Sequence, residues 1–99
     1  MDIMTKNENG VLTVALAGRL DTTSAPDLEK TITEQIPGAQ TLVFDLAQLA
    51  YTSSAGLRIF LKAQKLMSQK GGAMKVLHVA EPIMEIFEMT GFTDILTIE

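Results

Sequence analysis

Two adjacent hydroxyls, Ser53 and Ser54, stand between an apolar run, Leu42–Leu46, and the start of a long helical pattern at Gly56-Leu57-Arg58. Serines at a helix start can do two kinds of work. One satisfies the unpaired backbone N–H groups as a cap, worth about 1 kcal/mol. The other carries a phosphate, because those N–H groups and the partial positive charge of a helix N-terminus favour an anion. A single serine suffices for the cap. If Ser53 takes it, Ser54 lies in the first turn with its hydroxyl largely free, and the reverse assignment frees Ser53 less well. Ala55 and Gly56 keep the surroundings open, which suits either close packing or access by a partner.

Other chemistries find less support. The Gly-x-Ser-x-Gly nucleophile elbow is absent. The only histidine, His78, falls inside the apolar run Met74–Val79 and reads as a structural residue, with no Asp or Glu spaced to orient it. One histidine, no cysteine and dispersed carboxylates give no metal-ligand spacing, so neither a metal nor another cofactor is expected. Gly71-Gly72 reads as a turn, since no Gly-Lys-Ser/Thr motif follows it. Asp21 and the run Thr22-Thr23-Ser24 are good turn and cap residues in their own right. Met84 and Met89 read as core or rim packing of a helix.

These residues need elements to position them. Asn9-Gly10 between two apolar segments predicts an opening hairpin. Leu12, Val14 and Leu16 alternate with smaller residues as a strand with one buried face, ending at Gly18–Asp21. Ser24 and Asp27 have capping-box spacing with Pro26 in the first turn, and Ala25, Leu28, Ile32 and Ile36 line one helix face until Pro37-Gly38. Leu42–Leu46, apolar at nearly every position, reads as a strand covered on both faces. A helix over 54–70 follows, with Leu57, Phe60, Leu61 and Leu66 inward, stopped by Gly71-Gly72. Met74–Val79 is a further strand, Glu81-Pro82 opens a helix ending at Gly91, and Ile95–Ile98 adds a last strand or docking segment. The order β-β-α-β-α-β-α-β implies an α/β fold: a mixed sheet of about four or five strands with helices packed against it. Sites in such sheets gather beyond the carboxyl ends of strands, so Asp21 and Ser53-Ser54 form one surface if both loops lie at that end.

Ninety-nine residues, 46% apolar and 20% charged, fit one globular domain over 1–99. No apolar stretch approaches the roughly 18–20 residues of a membrane span, and Met1–Lys6 lacks a signal-peptide pattern, so a cytoplasmic protein without membrane contact is expected. Net charge is −4 with eight scattered basic residues, and Lys62, Lys65, Lys70 and Lys75 read as a solvated helix face. That disfavours direct nucleic-acid binding, which needs a concentrated basic surface.

At Gly18-Arg19-Leu20-Asp21 and Ser53-Ser54-Ala55-Gly56-Leu57-Arg58 the chain resembles the STAS domain family, specifically its stand-alone anti-sigma factor antagonists, and the match in element order covers essentially the whole sequence. The resemblance implies a SpoIIAA-like fold and a partner switch. The unphosphorylated protein would bind an anti-sigma factor with serine kinase activity and release the sigma factor. Phosphorylation of a serine at the start of the second helix would end that interaction, and a PP2C-type phosphatase would restore it. The protein itself would be substrate and binding module, not enzyme. The best-known family version reads Asp-Ser-Ser-Gly with the second serine as acceptor; aligned on Gly56, Ala55 stands at that position here, so the acceptor is expected at Ser54, with Ser53 as alternative. Asp21, Thr22, Thr52, Ser53, Ser54, Ala55, Gly56 and Arg58 would form the partner surface. A non-phosphorylated STAS subunit of a transporter or lipid-trafficking complex is the alternative function, and a small ligand-binding or enzymatic domain a third.

Overall fold

Asn9 and Gly10 both take positive φ, 53° and 79°. That is the type I′ geometry whose twist matches paired strands. The turn joins β1 (Asp2–Glu8) to β2 (Val11–Leu20) as an antiparallel hairpin running from Asp2↔Ala17 to Glu8↔Val11. The computed structural model describes all 99 residues. After β2 come α1 (Ala25–Gln35) with a 3₁₀ turn at Ile36–Gly38, β3 (Thr41–Thr52), α2 (Ser54–Gln69), β4 (Ala73–Leu77) and α3 (Glu81–Thr90). The sheet order is β1-β2-β3-β4, with β2–β3 and β3–β4 parallel. Two right-handed crossovers stepping the same way across a sheet place both connecting helices on one face.

The burial pattern follows from that placement. Leu12, Val14, Leu16, Leu42, Phe44, Leu46, Met74 and Val76 are buried, while the alternate positions Thr13, Ala15, Val43 and Asp45 are only half-buried. The expectation that β3 is covered on both faces is therefore wrong: its second face is open. β3 is also longer than the apolar run. It carries one extra residue opposite Ala15–Ala17 and another opposite Gly18–Arg19. These bulges re-phase the strand, so that its buried positions move from Leu46 to Leu49 and then Thr52.

The core is joined across layers by aromatic rings. Phe44 of β3 meets Phe60 of α2 edge-on at 5.0 Å, and Phe60 meets Phe87 of α3 at 5.9 Å. On α2 the buried stripe is Gly56, Ile59, Phe60, Ala63 and Met67, with Leu57 beside it. Leu61 and Leu66, expected inward, sit half-buried at its margins because helical period rotates them off the stripe.

The third helix opens at Glu81-Pro82 and ends on Gly91 at φ 78°, as the sequence implies. The C-terminal segment forms no further strand: a 3₁₀ turn at Phe92–Asp94 leads to a single parallel bridge, Val76↔Ile98. Met89 stands 86% exposed and is not packed. Lys70 is more than a solvated charge, since its Nζ donates to the carbonyls of Ile36 at 2.7 Å and Pro37 at 3.2 Å, tying the end of α2 to the turn after α1. No helix is long and apolar enough to cross a membrane.

Phe60 touches both other core rings, so Phe60→Ala is expected to cost about 3–5 kcal/mol. Urea denaturation of the variant should show a strongly lowered midpoint or an unfolded chain.

Candidate functional site

The last pair of the parallel β2–β3 ladder is Leu20↔Thr52, and the Ser53 N–H then donates to the Leu20 carbonyl at 2.8 Å. Both strands thus release their chains at the same edge, which brings the loop at Asp21–Ser24 beside the start of α2. The sequence placed these loops on one surface only conditionally; the strand register makes them neighbours.

Ser53 is the cap of α2. Its backbone is extended (φ −94°, ψ 178°) and its Oγ accepts from the Ala55 N–H at 3.2 Å. Its carbonyl accepts the first helical bond, from the Leu57 N–H at 3.1 Å. Ser54 is the first helical residue, exposed, and its hydroxyl takes no part in the cap. The division of labour left open by residue type is decided by backbone geometry. Ala55 is half-buried against the core.

Thr52 and Gly56 lie beneath the loop instead of on its surface. Thr52 is 3% exposed, and its Oγ1 donates to the Ser53 carbonyl at 3.2 Å. A Cβ on Gly56 would come within 2.6 Å of the Leu20 side chain and collide with Thr52 Oγ1. Glycine therefore lets the first turn of α2 seat directly on the ends of β2 and β3. Both residues position the loop and are not themselves available to a partner.

Asp21 builds the neighbouring turn. Its Oδ1 accepts from the N–H groups of Thr23 at 3.0 Å and Ser24 at 3.2 Å. Ser24 Oγ accepts from the Asp21 N–H at 3.0 Å and donates to the Arg19 carbonyl at 2.8 Å. The capping box expected between Ser24 and Asp27 is accordingly absent: Ser24 reaches back toward Arg19 and Asp21 and makes no side-chain cap bond. The N–H groups of Ser24 and then Thr23 hold the Asp21 carboxyl below its ordinary value of 3.8, and the charge of Arg19 adds to them.

Thr22, Ala55 and Arg58 line one open groove of about 390 Å³ between α1 and α2, with Pro26 and Ile59. Farther along the groove, Lys62 Nζ pairs with Glu29 at 2.8 Å. Arg58 is exposed.

Two features escaped the sequence reading. Arg19 lies 4.3 Å over the Tyr51 ring at the exposed end of the β2–β3 pair, directly before the Asp21 turn. The alternation of a strand puts such a pair within reach only once register is known. The second is His78, which is not inside the strand: it follows β4, exposed and at φ 58°. Its Nδ1 lies 3.0 Å from Asp45 Oδ1, the same oxygen that accepts the Ala47 N–H at 3.1 Å. An acid does orient this histidine, brought there by the β3–β4 pairing across 33 residues of sequence. The Ala47 N–H is the main reason the Asp45 carboxyl is lowered, with His78 adding and burial opposing.

Two outcomes follow for stability. The lowered carboxyls of Asp21 and Asp45 favour the folded state above the unfolded value near 3.8, and that contribution disappears as pH falls through their folded values. Unfolding followed from pH 6 to pH 2 should show stability dropping in the acid range, with a shallower slope in Asp21→Asn, whose amide oxygen can still accept the turn hydrogen bonds. Gly56→Ala should lower stability by about 1–3 kcal/mol through overpacking, less the roughly 1 kcal/mol gained in helix propensity, read as a lowered thermal midpoint.

The model of the STAS domain family matches residues 2–99. The chain is 31% identical over 93 residues to the anti-sigma-B factor antagonist of Bacillus subtilis (strain 168), covering 94% of this chain and 84% of that protein. It is 33% identical over 100 residues to the anti-sigma F factor antagonist of Paenibacillus polymyxa, covering 99% and 86%. Its fold superposes on the anti-sigma factor antagonist SpoIIAA in its unphosphorylated form with a TM-score of 0.81, at 14% identity, covering 99% of this chain and 87% of that one. The phosphorylated form of the Bacillus cell fate determinant SpoIIAA gives 0.80 at 15% identity, covering 99% and 91%. Those superpositions establish the fold, and the family match with the sequence identities establishes descent: the chain belongs to the STAS domain family.

Proposed function

We propose that this protein is an anti-sigma factor antagonist that works as a phosphorylation-controlled partner switch. The observation that carries the reading is the separation of roles at the start of α2: Ser53 is engaged as the cap while Ser54, one residue on, presents an exposed hydroxyl outside it. Curated relatives named as antagonists of anti-sigma-B and anti-sigma F factors support the class of partner. The two forms in which SpoIIAA has been solved support a fold that accommodates phosphate.

In the unphosphorylated state, Thr22, Ser54 and Arg58 with the Asp21 turn would meet an anti-sigma factor that is itself a serine kinase. Ser54 Oγ would attack the γ-phosphorus of ATP; the new O–P bond forms as the bond to the ADP oxygen breaks, and the hydroxyl proton passes to a base of the kinase. The phosphoserine brings about −1.5 to −2 charge units to a surface whose partner contacts were built for a neutral hydroxyl. The product is tolerated within this chain, because the N-terminus of α2 favours an anion and Arg58 lies one turn farther on. Repulsion and desolvation fall on the partner, which is released. Hydrolysis by a PP2C-type phosphatase would return Ser54 to the docking state. Ser53 is the poorer acceptor, since modification there would disturb the cap.

Incubation with a panel of anti-sigma factor serine kinases and ATP should add about 80 Da, the mass of one phosphoryl group, mapped to Ser54. Ser54→Ala should abolish the addition, Ser53→Ala should retain it at a cost of about 1 kcal/mol in stability, and Ser54→Asp should weaken partner binding. Unchanged phosphorylation of Ser54→Ala would overturn the assignment.

A further inference from the structure

The β1 edge of the sheet is uncovered along its length. Every residue of β1 is exposed except Ile3, and three of the large exposed apolar residues, Met1 at 39%, Met4 at 64% and Val11 at 37%, lie at this end of the sheet. The opposite edge differs, because β4 is bridged by the C-terminal segment at Val76↔Ile98. An uncovered edge strand is a template for another strand, and proteins use or block such edges.

The hairpin decides which backbone groups are free. Glu8 and Val11 flank a two-residue turn, so they exchange hydrogen bonds, and antiparallel alternation then turns Lys6, Met4 and Asp2 toward β2 as well. The N–H and C=O groups of Ile3, Thr5 and Asn7 point outward. Charge and overlap together select one register for a second copy. An axis through Asn7 would oppose Lys6 to Glu8 but run into the Asn9-Gly10 turn, and one through Ile3 would pair no opposite charges. A two-fold axis through Thr5 would oppose Asp2 to Glu8, and one through Lys6 would oppose that lysine to itself. An axis through Met4 opposes Asp2 to Lys6 twice, Met4 to Met4, and lets Ile3 and Thr5 exchange backbone hydrogen bonds across the axis. All three side-chain pairs then fall on the open face of the sheet, where Met4↔Ala15 and Lys6↔Thr13 already place them.

We propose that the β1 edge is a homodimer interface, in which two copies pair antiparallel about Met4 into a continuous eight-stranded sheet, four strands from each. β1 lies on the far side of β2 from β3, so the pairing is built from residues other than those of the Ser54 loop, and it stands or falls independently of the phosphorylation reading.

Sedimentation equilibrium over a concentration series reaching about 1 mM should show a reversible dimer. Thr5→Pro removes an outward N–H while leaving the ladder to β2 intact, and should raise the dimer dissociation constant about tenfold or more, with circular dichroism confirming that the variant folds. Asp2→Lys should raise it about three- to thirtyfold, and the double variant Asp2→Lys/Lys6→Asp should restore it. Met4→Cys should cross-link rapidly under oxidised glutathione, since facing non-hydrogen-bonded residues sit about 4.5 Å apart at Cα, within disulfide reach. A chain that stays monomeric throughout, a dimer indifferent to Thr5→Pro, a charge swap that fails to restore pairing, or Met4→Cys that cross-links no faster than Asn7→Cys would each overturn the proposal.

Discussion

The parallel pairing of β2 with β3 is the constraint on which the rest of the molecule depends. It runs from Val11↔Thr41 to Leu20↔Thr52 and is the most extensive strand pairing in the sheet. Parallel neighbours cannot be joined by a tight turn, so α1 must cross between them, and its hand puts it on one face. The β3–β4 crossover repeats the operation with α2. One-sided covering, the aromatic chain from Phe44 to Phe87 and the open second face are consequences of that single arrangement.

The same pairing makes the candidate site. The two parallel strands begin paired at Val11↔Thr41 and end paired at Leu20↔Thr52, so their following loops meet. Two bulges make this possible: they absorb the two extra residues of β3 and rotate Leu49 and Thr52 inward. Asp45 secures the first bulge through the Ala47 N–H, and Gly18, at φ 101°, lies opposite the second. Gly56 then allows the first turn of α2 to close on Leu20 and Thr52. Ser54 is exposed because the residues on either side of it are committed downward. The two acids nearest these bends, Asp21 and Asp45, are both held in the charged form by backbone N–H groups and so behave as structural anions.

Much of this was legible in the chain. Asn9-Gly10 specified the hairpin, alternation in β2 specified its buried face, and the run of elements specified an α/β fold, because each depends on local backbone preference or short-range periodicity. The features that were misread depend on neighbours far away in sequence. His78 looked structural inside an apolar run, yet it stands outside β4 against Asp45. Ser24 looked like the start of a capping box, yet Asp21 had already claimed the turn. Leu42–Leu46 looked doubly buried, since apolar content alone does not say how many faces have helices over them.

By itself the sequence determined the order of the main strands and helices and that a serine pair opens α2. It could do so because those properties are carried by residue type and short spacing. Only the tertiary structure decided which serine caps and which is free, that the Asp21 turn borders the start of α2, that Arg19 lies over Tyr51, and that Thr52 and Gly56 lie underneath. Those outcomes are set by strand register and by which face the crossovers occupy. Register is a relation between distant segments, and a one-residue slip between β2 and β3 would have dispersed the site while leaving every local preference satisfied.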